Sequence, residues 1–400
     1  MLVLKKETTI LILFSVLVTF GVSMIFPYVP VHGREIGIPV GIIGHLVVLY
    51  YLLQAVTRIP LGKLSDIIGY HHPVLVGAIF FVFSSLAFVF STHFWLLLFV
   101  GEFFLGLANS VTWVTVPSYI THNDNVMPLF TFSLGLGWLM GSPVGGFIKD
   151  NLGMQWVFNY QFLVSLGLLG LALAFYFFES NVEFSRQNIR SFLRFGKFSP
   201  GSLPIYPSVQ SYVKAWRLLV ENKRLLAAGL FSFLVFMTFG LGASIVPLYF
   251  SEVGISSLFI GVLVSVRTST STAVRLLSNR VTSRFGEMKV LITSTTLVGI
   301  CMVLLSFVEN LGLLLILSAF WGLCAGYYLP VVFQIIGNST RKEDRGMAMG
   351  VRGTMGTLGA ASGTLLFSYL ADIFSLSFAL FLAGLVAAIG SLIVGRLVRY

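Results

Sequence analysis

The fold of this chain is decided by a stretch that occurs twice. The first copy, residues 29–69, reads VPVHGREIGIPVGIIGHLVVLYYLLQAVTRIPLGKLSDIIG. The second copy, residues 246–286, reads VPLYFSEVGISSLFIGVLVSVRTSTSTAVRLLSNRVTSRFG. A shift of 217 residues aligns them without a gap, and 11 of the 41 positions are identical. Because both copies contain long apolar runs, the duplication predicts two similar halves embedded in a membrane. The identical positions are Val29/Val246, Pro30/Pro247, Glu35/Glu252, Gly37/Gly254, Ile38/Ile255, Ile43/Ile260, Gly44/Gly261, Leu46/Leu263, Val47/Val264, Arg58/Arg275 and Gly69/Gly286.

The composition agrees with a membrane protein throughout. Of the 400 residues, 56% are hydrophobic and 10% are charged, whereas a soluble domain has roughly 25% charged residues. Apolar runs of about 20 residues, enough to cross a bilayer as a helix, follow one another along the chain. We therefore predict an all-α membrane protein with twelve transmembrane helices in two pseudo-symmetric six-helix bundles. The runs begin near Thr9, Ile38, Pro73, Phe94, Met127, Met154, Leu225, Ser257, Met288, Leu311, Gly346 and Phe374.

The basic residues predict the orientation, because cytoplasmic segments are rich in Lys and Arg. An even number of helices places both termini on one side, and we expect that side to be the cytoplasm. Of the 25 Lys and Arg residues, only Arg34 and Lys149 then fall outside and four lie within helices, which leaves 19 in cytoplasmic segments. We expect a multi-pass protein of the cell membrane. The net charge of +10 is explained by anionic lipid headgroups, so no nucleic-acid partner is expected.

A polar stretch divides the chain into two parts. We predict an N-terminal bundle over 1–178, a cytoplasmic central loop over 179–222 and a C-terminal bundle over 223–400. The loop is rich in basic residues and proline. Its second part, Val209 to Val220, either lies along the inner membrane surface or is a plain linker.

No motif indicates enzymatic chemistry. Cys301 and Cys324, the only cysteines, fall in predicted helices and support neither a disulfide framework nor a metal site. A phosphate-binding GxxxxGK[ST] loop is absent from the sequence. We expect no enzyme, no cofactor and no metal, and a monomer in the lipid bilayer.

Two motifs carry a family resemblance. Between helices 2 and 3 stands GKLSDIIG, which begins at Gly62, has Asp66 as its acid and ends at Gly69. A less similar copy follows helix 8. It has Arg284 at the position of Ile67, and its Gly286 corresponds to Gly69. Helix 1 ends in Pro27-Tyr28-Val29-Pro30. Helix 5 contains GWLMGSPVGG, with the residues Gly137, Gly141, Pro143, Gly145 and Gly146.

The first motif resembles the G-x-L-x-D-R-x-G loop of the major facilitator superfamily, and the helix 5 motif resembles that family's antiporter motif. The Arg that follows the Asp in the family is Ile67 here, and the Pro of helix 5 stands one place late. The resemblance implies transport by alternating access. It also implies a cytoplasmic gate at the loop residues. Arg58 and Arg275 are symmetric and near the cytoplasmic helix ends, so they either belong to this gate or snorkel to the membrane surface. Asp66 either caps the N-terminus of helix 11 near Gly346 or is a solvated loop charge.

One acid lies deep in a helix. Charged groups at mid-membrane are costly, and they are functional candidates by default. Glu102, on helix 4, stands where the family often has an Arg. It projects within about 40° of Asn109 and Trp113 at 3.6 residues per turn. We predict that Glu102 carries the coupling proton; a structural Glu is the alternative. His45 in helix 2 is the second candidate, against a packing role.

Polar residues elsewhere are candidates for a substrate cavity. Helix 8 contains Arg267 and Ser271 in a polar run that cannot face lipid all round. Arg267 replaces Tyr50 of the first copy, so it breaks the symmetry. On helix 10, Tyr327 and Gln334 share a face. Arg352 in helix 11 belongs either to the gate or to the substrate cavity.

The sequence thus indicates a transporter of a small-molecule substrate, coupled to protons. Aromatic content of 14% and the helix 5 motif favour efflux of small, partly hydrophobic compounds. One alternative is a transporter of a small organic anion or a sugar, which Arg267 and Arg352 favour. A non-transporting membrane sensor with the same fold is the alternative from another class.

Overall fold

A computed structural model describes residues 5–123, 127–179, 217, 220–340 and 345–399. Within these ranges, the side chains of 59–60, 62–63, 66–67, 121–123, 127–128, 345–347 and 398–399 are not described. The described chain is helical, and its helices come from apolar runs whose backbone polar groups must be bonded internally in a membrane. Nearly all of the predicted central loop, 179–222, lies outside the described residues.

The N-terminal bundle consists of six transmembrane helices, the first of which is broken. Pro27 and Pro30 stand at that break, where proline removes a backbone donor. A proline also lies inside α5 and inside α6. The helices are α1 (Lys6–Ile25), α2 (Tyr28–Glu35), α3 (Val40–Ile68), α4 (His71–Ser91), α5 (Leu97–Asn123), α6 (Met127–Leu152) and α7 (Met154–Glu179).

The C-terminal bundle repeats this plan with three broken helices. Helix 7 breaks at Ser244, helix 8 after Arg275 and helix 10 at Tyr327. The helices are α8 (Lys223–Ala243), α9 (Ile245–Glu252), α10 (Ser257–Arg275), α11 (Ser278–Phe285), α12 (Glu287–Leu305), α13 (Leu311–Gly326), α14 (Tyr328–Ser339), α15 (Arg345–Ile373) and α16 (Leu376–Arg399).

The twelve predicted helices are confirmed, and each begins within three residues of the predicted start. Among the described residues, ten helical segments are long and apolar enough to cross a membrane by length and composition alone. The other two crossings are α6 and α15, which are helices 5 and 11. Both are rich in glycine and small polar residues, which lowers their hydropathy, and they occupy equivalent places in the two bundles.

The repeat is visible in the backbone as well. Gly37 and Gly254 turn the chain with φ of 86° and 83°, and Gly69 and Gly286 do so with φ of 85° each. Both pairs are separated by the 217 residues of the repeat. Only glycine adopts this left-handed region without strain, which explains the identity of these positions in both copies.

The segment between helices 2 and 3 is shorter than the sequence suggested. We expected a loop over Gly62 to Gly69, but α3 continues to Ile68 and the chain turns only at Gly69. In the second copy the same stretch forms the separate helix α11. In the first copy the helix continues through Gly62 and ends where Gly69 adopts a positive φ.

The bundles meet along two symmetric pairs of helices, α6 with α10 and α3 with α15. The outer parts of the first helix of each bundle, α2 and α9, also touch. We call the end of the molecule with Lys6, Glu179, Lys223 and Arg399 the terminal face. The opposite end, which carries the α2–α3 and α9–α10 turns, is the distal face. In the described part of the chain, α5 and α14 make no comparable contact at the terminal face.

Candidate functional site

Glu102 lies in the interior of the N-terminal bundle, on α5. Only 2% of its surface is exposed, and its Oε2 atom has no hydrogen-bond partner among the described residues. The carboxyl is within electrostatic reach of the hydroxyls of Tyr50 and Tyr51 on α3. Close packing of Gly106 against the Tyr50 backbone brings the two helices together. A buried carboxyl with a free oxygen can bind and release a proton without breaking an ion pair.

Tyr50 connects this carboxyl to an aromatic row. Its hydroxyl accepts a hydrogen bond from Asn109 Nδ2, and Asn109 is 3% exposed. The Tyr50 ring packs against Tyr51 at 5.3 Å and against Phe26 at 5.1 Å. Phe26 meets Trp138 edge-on at 5.8 Å. The row joins α3 to the break of helix 1 and to α6, and it provides apolar surface beside the polar groups.

Arg267 faces the same region from the C-terminal bundle. Its guanidinium lies 4.5 Å from the centre of the Trp321 ring, a cation–π contact. It also lies against Gly242, where a Cβ atom would overlap with it. Electrostatic contact with Tyr51 spans the two bundles. Among the described side chains, no carboxylate lies within 4.0 Å of Arg267, so it does not form an ion pair with Glu102.

Two further arginines lie on the two helices of the α3–α15 contact. Arg58 donates from Nη2 to Gln54 Oε1 at 2.7 Å, and Arg352 donates from Nη1 to Tyr328 at 3.1 Å. The guanidiniums of Arg58 and Arg352 are within electrostatic range of each other and carry like charge. The buried Nε atom of each has no acceptor in the described part of the structure. Arg352 therefore lies near Arg58 at the interface between the two bundles, and we call the region that these side chains border the cleft.

The other predicted residues are spread over separate parts of the structure. His45 is exposed, donates from Nδ1 to the Gly41 carbonyl (2.9 Å) and packs on Tyr369. Trp113 is 43% exposed, unlike Glu102 and Asn109 on the same helix. Ser271 is buried where α10 packs on Gly326.

The predicted residues of helix 10 and of the repeated motif lie away from Glu102 and Tyr50. Gln334 donates to Asn279 at 2.8 Å, within the C-terminal bundle. Tyr327 stands at the α13–α14 break. Arg275 and Arg284 are exposed. The side chains at Gly62 and Asp66, and those near Gly346, lie outside the described set, so the predicted Asp66 cap stays a prediction.

The glycines of the helix 5 motif lie where α6 packs on α1. A Cβ atom at Gly137 would overlap with Thr19, and one at Gly141 with Ser23 and the Phe20 carbonyl. Gly145 meets Met24 in the same way. Close packing of this kind depends on small residues. In the other bundle, Gly359 and Gly363 play the equivalent part against α8.

On the distal side of the motif, the packing crosses between bundles. Gly146 lies against the Ser257 carbonyl. The Tyr28 hydroxyl donates to the carbonyls of Ser142 (2.5 Å) and Ser257 (3.0 Å), one in each bundle. Ser265 donates to the Leu139 carbonyl at 2.7 Å. The distal face is therefore closed by bonds between α6 and α10.

Two aspartates complete this closure, and the sequence analysis missed both. Asp150, near the end of α6, accepts from the backbone N–H groups of Ser257 (2.9 Å) and Leu258 (2.8 Å). Asp372, near the end of α15, accepts from those of Val40 (2.8 Å) and Gly41 (2.6 Å). Each carboxylate thus caps the first turn of a helix in the opposite bundle. The two are 222 residues apart, as are Gly137 and Gly359, and that spacing was a readable signal.

Two pseudo-symmetric helical bundles, with buried polar and aromatic residues where they meet, define a multi-pass membrane protein with a transporter fold. The chain belongs to the Major Facilitator Superfamily, whose model matches residues 11–253 and 229–399. Its relatives are transporters, and it is not an enzyme.

Similar proteins of known sequence include multidrug resistance protein MdtG of Proteus mirabilis, 31% identical over 149 residues, or 36% of this chain and 37% of that one. An uncharacterized MFS-type transporter of Methanocaldococcus jannaschii is 26% identical over 178 residues, 43% of this chain and 44% of that one. The chain thus spans about two fifths of the length of the curated relatives that it matches.

Solved structures of the same fold cover nearly the whole chain. The nucleoside transporter NupG has a TM-score of 0.75 at 13% identity, and the match covers 99% of this chain and 100% of that one. A POT family transporter in complex with a thioalcohol-conjugated peptide has a TM-score of 0.73, again at 13% identity, covering 97% and 94%. These similarities establish the fold.

Proposed function

We propose that this transporter exports small, partly hydrophobic compounds across the cell membrane in exchange for protons. The observation that carries the proposal is Glu102, a buried carboxyl with an unpartnered oxygen beside the aromatic row of Tyr50, Phe26 and Trp138. Resemblance to proteins named for multidrug resistance supports the export of hydrophobic compounds. The antiporter-like motif of α6 supports exchange.

The proposed mechanism is alternating access. With the distal face closed, substrate enters the cleft from the terminal face, which we assign to the cytoplasm. A proton that reaches Glu102 from the other side removes a buried charge, and burial in low dielectric disfavours the charged form. Binding of substrate and binding of the proton would then stabilise different arrangements of the same two bundles, which is the requirement for coupling.

A gradient experiment tests the proton role. In reconstituted vesicles with an imposed pH gradient, Glu102→Gln should lose gradient-driven transport and retain substrate exchange, because the amide keeps the shape and does not titrate. Glu309→Gln, an exposed carboxyl of the distal face, is the matched control and should transport normally. Full gradient-driven transport by Glu102→Gln would make Glu102 structural, and His45 would become the next residue to test.

Transport of a small organic anion is the second candidate, and a specific observation favours it. Arg58, Arg267 and Arg352 all lie at the cleft, and no carboxylate pairs with them among the described side chains. A sugar lacks the charge that such a site would recognise.

A further inference from the structure

The positive charge of the cleft exceeds its negative charge. Arg58, Arg267 and Arg352 bring three guanidiniums, and Glu102 is the carboxyl in electrostatic contact with the same tyrosines. In the described part of the chain, the ion pairs join Glu35 to His32 and Lys149 at the distal face. Burying a charge without a partner is costly, so this imbalance indicates a ligand that brings negative charge.

We propose that the cleft binds an organic anion, whose carboxylate, phosphate or phosphonate group bridges Arg58 of one bundle and Arg352 of the other. The apolar body of the ligand lies against Tyr51, which is half-buried. This inference rests on the proposed transport function and names the class of substrate.

The two arginines are held in place but not neutralised. Gln54 and Tyr328 each occupy one edge of a guanidinium. The Arg352 guanidinium also lies 5.2 Å from the centre of the Phe333 ring. Because these partners are neutral, they orient the two guanidiniums without compensating their positive charge. The planar fork of Arg has five donors and matches a carboxylate or phosphate group. The Nε–H group of each arginine has no acceptor among the described residues.

The position of the pair between the bundles links binding to movement. Arg58 lies on α3 and Arg352 on α15, two helices that move relative to each other when one bundle rocks against the other. Without an anion, the two guanidiniums repel each other and oppose a tighter approach at this level. A bound anion replaces that repulsion with attraction from both sides. The substrate itself would then permit closure on the terminal side.

The position of Arg58 favours a ligand that is both charged and apolar. Its charge is in electrostatic contact with Tyr50 and Tyr51 as well as with Arg352. The anionic group and the aromatic surface are therefore neighbours in one site. An inorganic anion would pair with the arginines and make no use of the aromatic surface.

Thermal unfolding of the purified protein in a neutral detergent tests the proposal. The probes are 2-naphthoate and phenylphosphonate, with 2-naphthamide as the uncharged counterpart of naphthoate. We expect at least one of the two anions to raise the unfolding temperature by a few degrees through mass action and naphthamide to have no effect. Absence of a shift with both anions, or an equal shift with naphthamide, would overturn the proposal.

Variants locate the site. Arg58→Gln and Arg352→Gln should each weaken the apparent affinity for the anion by about 10- to 100-fold, since a hydrogen bond to a charged group contributes about 1.5–3 kcal/mol. Arg396→Gln, an exposed arginine of α16, is the control and should bind as the parent does. Where a Gln variant does not fold, Arg352→Lys keeps the charge without the fork and should lose part of the affinity. Unchanged affinity in the variants would place the anion elsewhere and refute the assignment.

Two further arms separate the sources of an anion and the two proposals. In phosphatidylcholine nanodiscs, naphthoate should stabilise the protein with or without phosphatidylglycerol. Stabilisation by phosphatidylglycerol but not by naphthoate would show that the site binds a lipid headgroup, and it would overturn the proposal of a dissolved organic anion. Because binding needs no pH gradient, the naphthoate shift is measured at a single pH, separately from the vesicle assay. Failure of anion binding therefore leaves the proton test intact, and failure of proton coupling leaves the anion site intact.

Discussion

At the scale of single residues, the proposed function of this chain depends on buried polar groups. Glu102 and Arg267 are both buried or half-buried, and each has an aromatic or hydroxyl neighbour in place of an opposite charge. Two opposite charges in contact would form a fixed pair that neither a proton nor a substrate could open cheaply. Separate charges with Tyr51 between them can respond individually to a proton and to a ligand.

The bond between Tyr50 and Asn109 gives the residue-scale prediction. Tyr50→Phe removes the hydroxyl that accepts from Asn109 and leaves a buried amide without that partner. An unsatisfied buried polar group costs about 1–3 kcal/mol, so the free energy of unfolding should fall by that amount. Tyr160→Phe, at a ring that is 40% exposed on α7, is the control. Equal unfolding temperatures for the two variants would show that the Asn109 amide does not depend on this bond.

At the scale of helices, the distal closure depends on helix ends. The first N–H groups of a helix lack intrahelical partners and carry partial positive charge. Asp150 and Asp372 supply these partners to α10 and α3 from the opposite bundle. The same two helix ends follow the repeated glycine turns at Gly254 and Gly37. Closure of the distal face is therefore a symmetric pair of carboxylate caps rather than a salt bridge.

Neutralising these caps should open the distal face. Asp150→Asn and Asp372→Asn each lose the charge, which near a helix N-terminus contributes about 0.3–1 kcal/mol and up to about 2 kcal/mol when partly buried. Each variant should shift the population toward the state with an open distal face, and the double variant should shift it further. Spin labels at Ile36 and Glu252, both exposed there, report the separation of α2 and α9 by electron paramagnetic resonance.

The matched control for the caps is Glu309→Gln, which removes a distal carboxylate that bonds to no helix end among the described contacts. Its label distances should equal those of the parent. Unchanged distances in the double Asp variant would show that Tyr28 and the α6–α10 packing close the face by themselves.

At the scale of the whole molecule, two bundles related by the repeat share one cleft. Their contacts follow α3–α15 and α6–α10 along the interface, and α2–α9 close it at the distal face only. This arrangement permits one bundle to rock against the other about the two helix pairs. The state described is closed at the distal face. The direction in which the cleft opens in the cell depends on the orientation, which the basic residues predict.

Cysteine labelling tests that orientation. His93 is exposed at the distal face and Glu221 at the terminal face, while the native Cys301 and Cys324 are buried. In intact cells, a cysteine at His93 should react with an impermeant maleimide. A cysteine at Glu221 should react only after permeabilisation. The opposite pattern would place the termini outside and reverse the proposed direction of transport.

Much of the fold could be read from local pattern. The twelve helices begin within three residues of prediction because membrane helices satisfy their own backbone hydrogen bonds, so long apolar runs reveal most of them. The prediction of a loop over Gly62 to Gly69 was wrong because a single glycine, Gly62, is tolerated inside a helix, and the chain turns only at Gly69. The site was predicted less completely: Glu102, Asn109 and Arg267 were singled out, whereas Tyr51, Tyr28, Asp150 and Asp372 were not.

The sequence by itself determined the membrane class, the duplication and the turns, since Gly37, Gly69, Gly254 and Gly286 are required by backbone geometry at their own positions. Tertiary structure alone decided the partners. Tyr28 meets Ser257 from 229 residues away, and Asp372 meets Val40 from 332 residues away. Spacing along one helix specifies which residues share a face, but it does not specify which helix that face will meet. Only the packing of the bundles brings a carboxylate of one half to a helix end of the other.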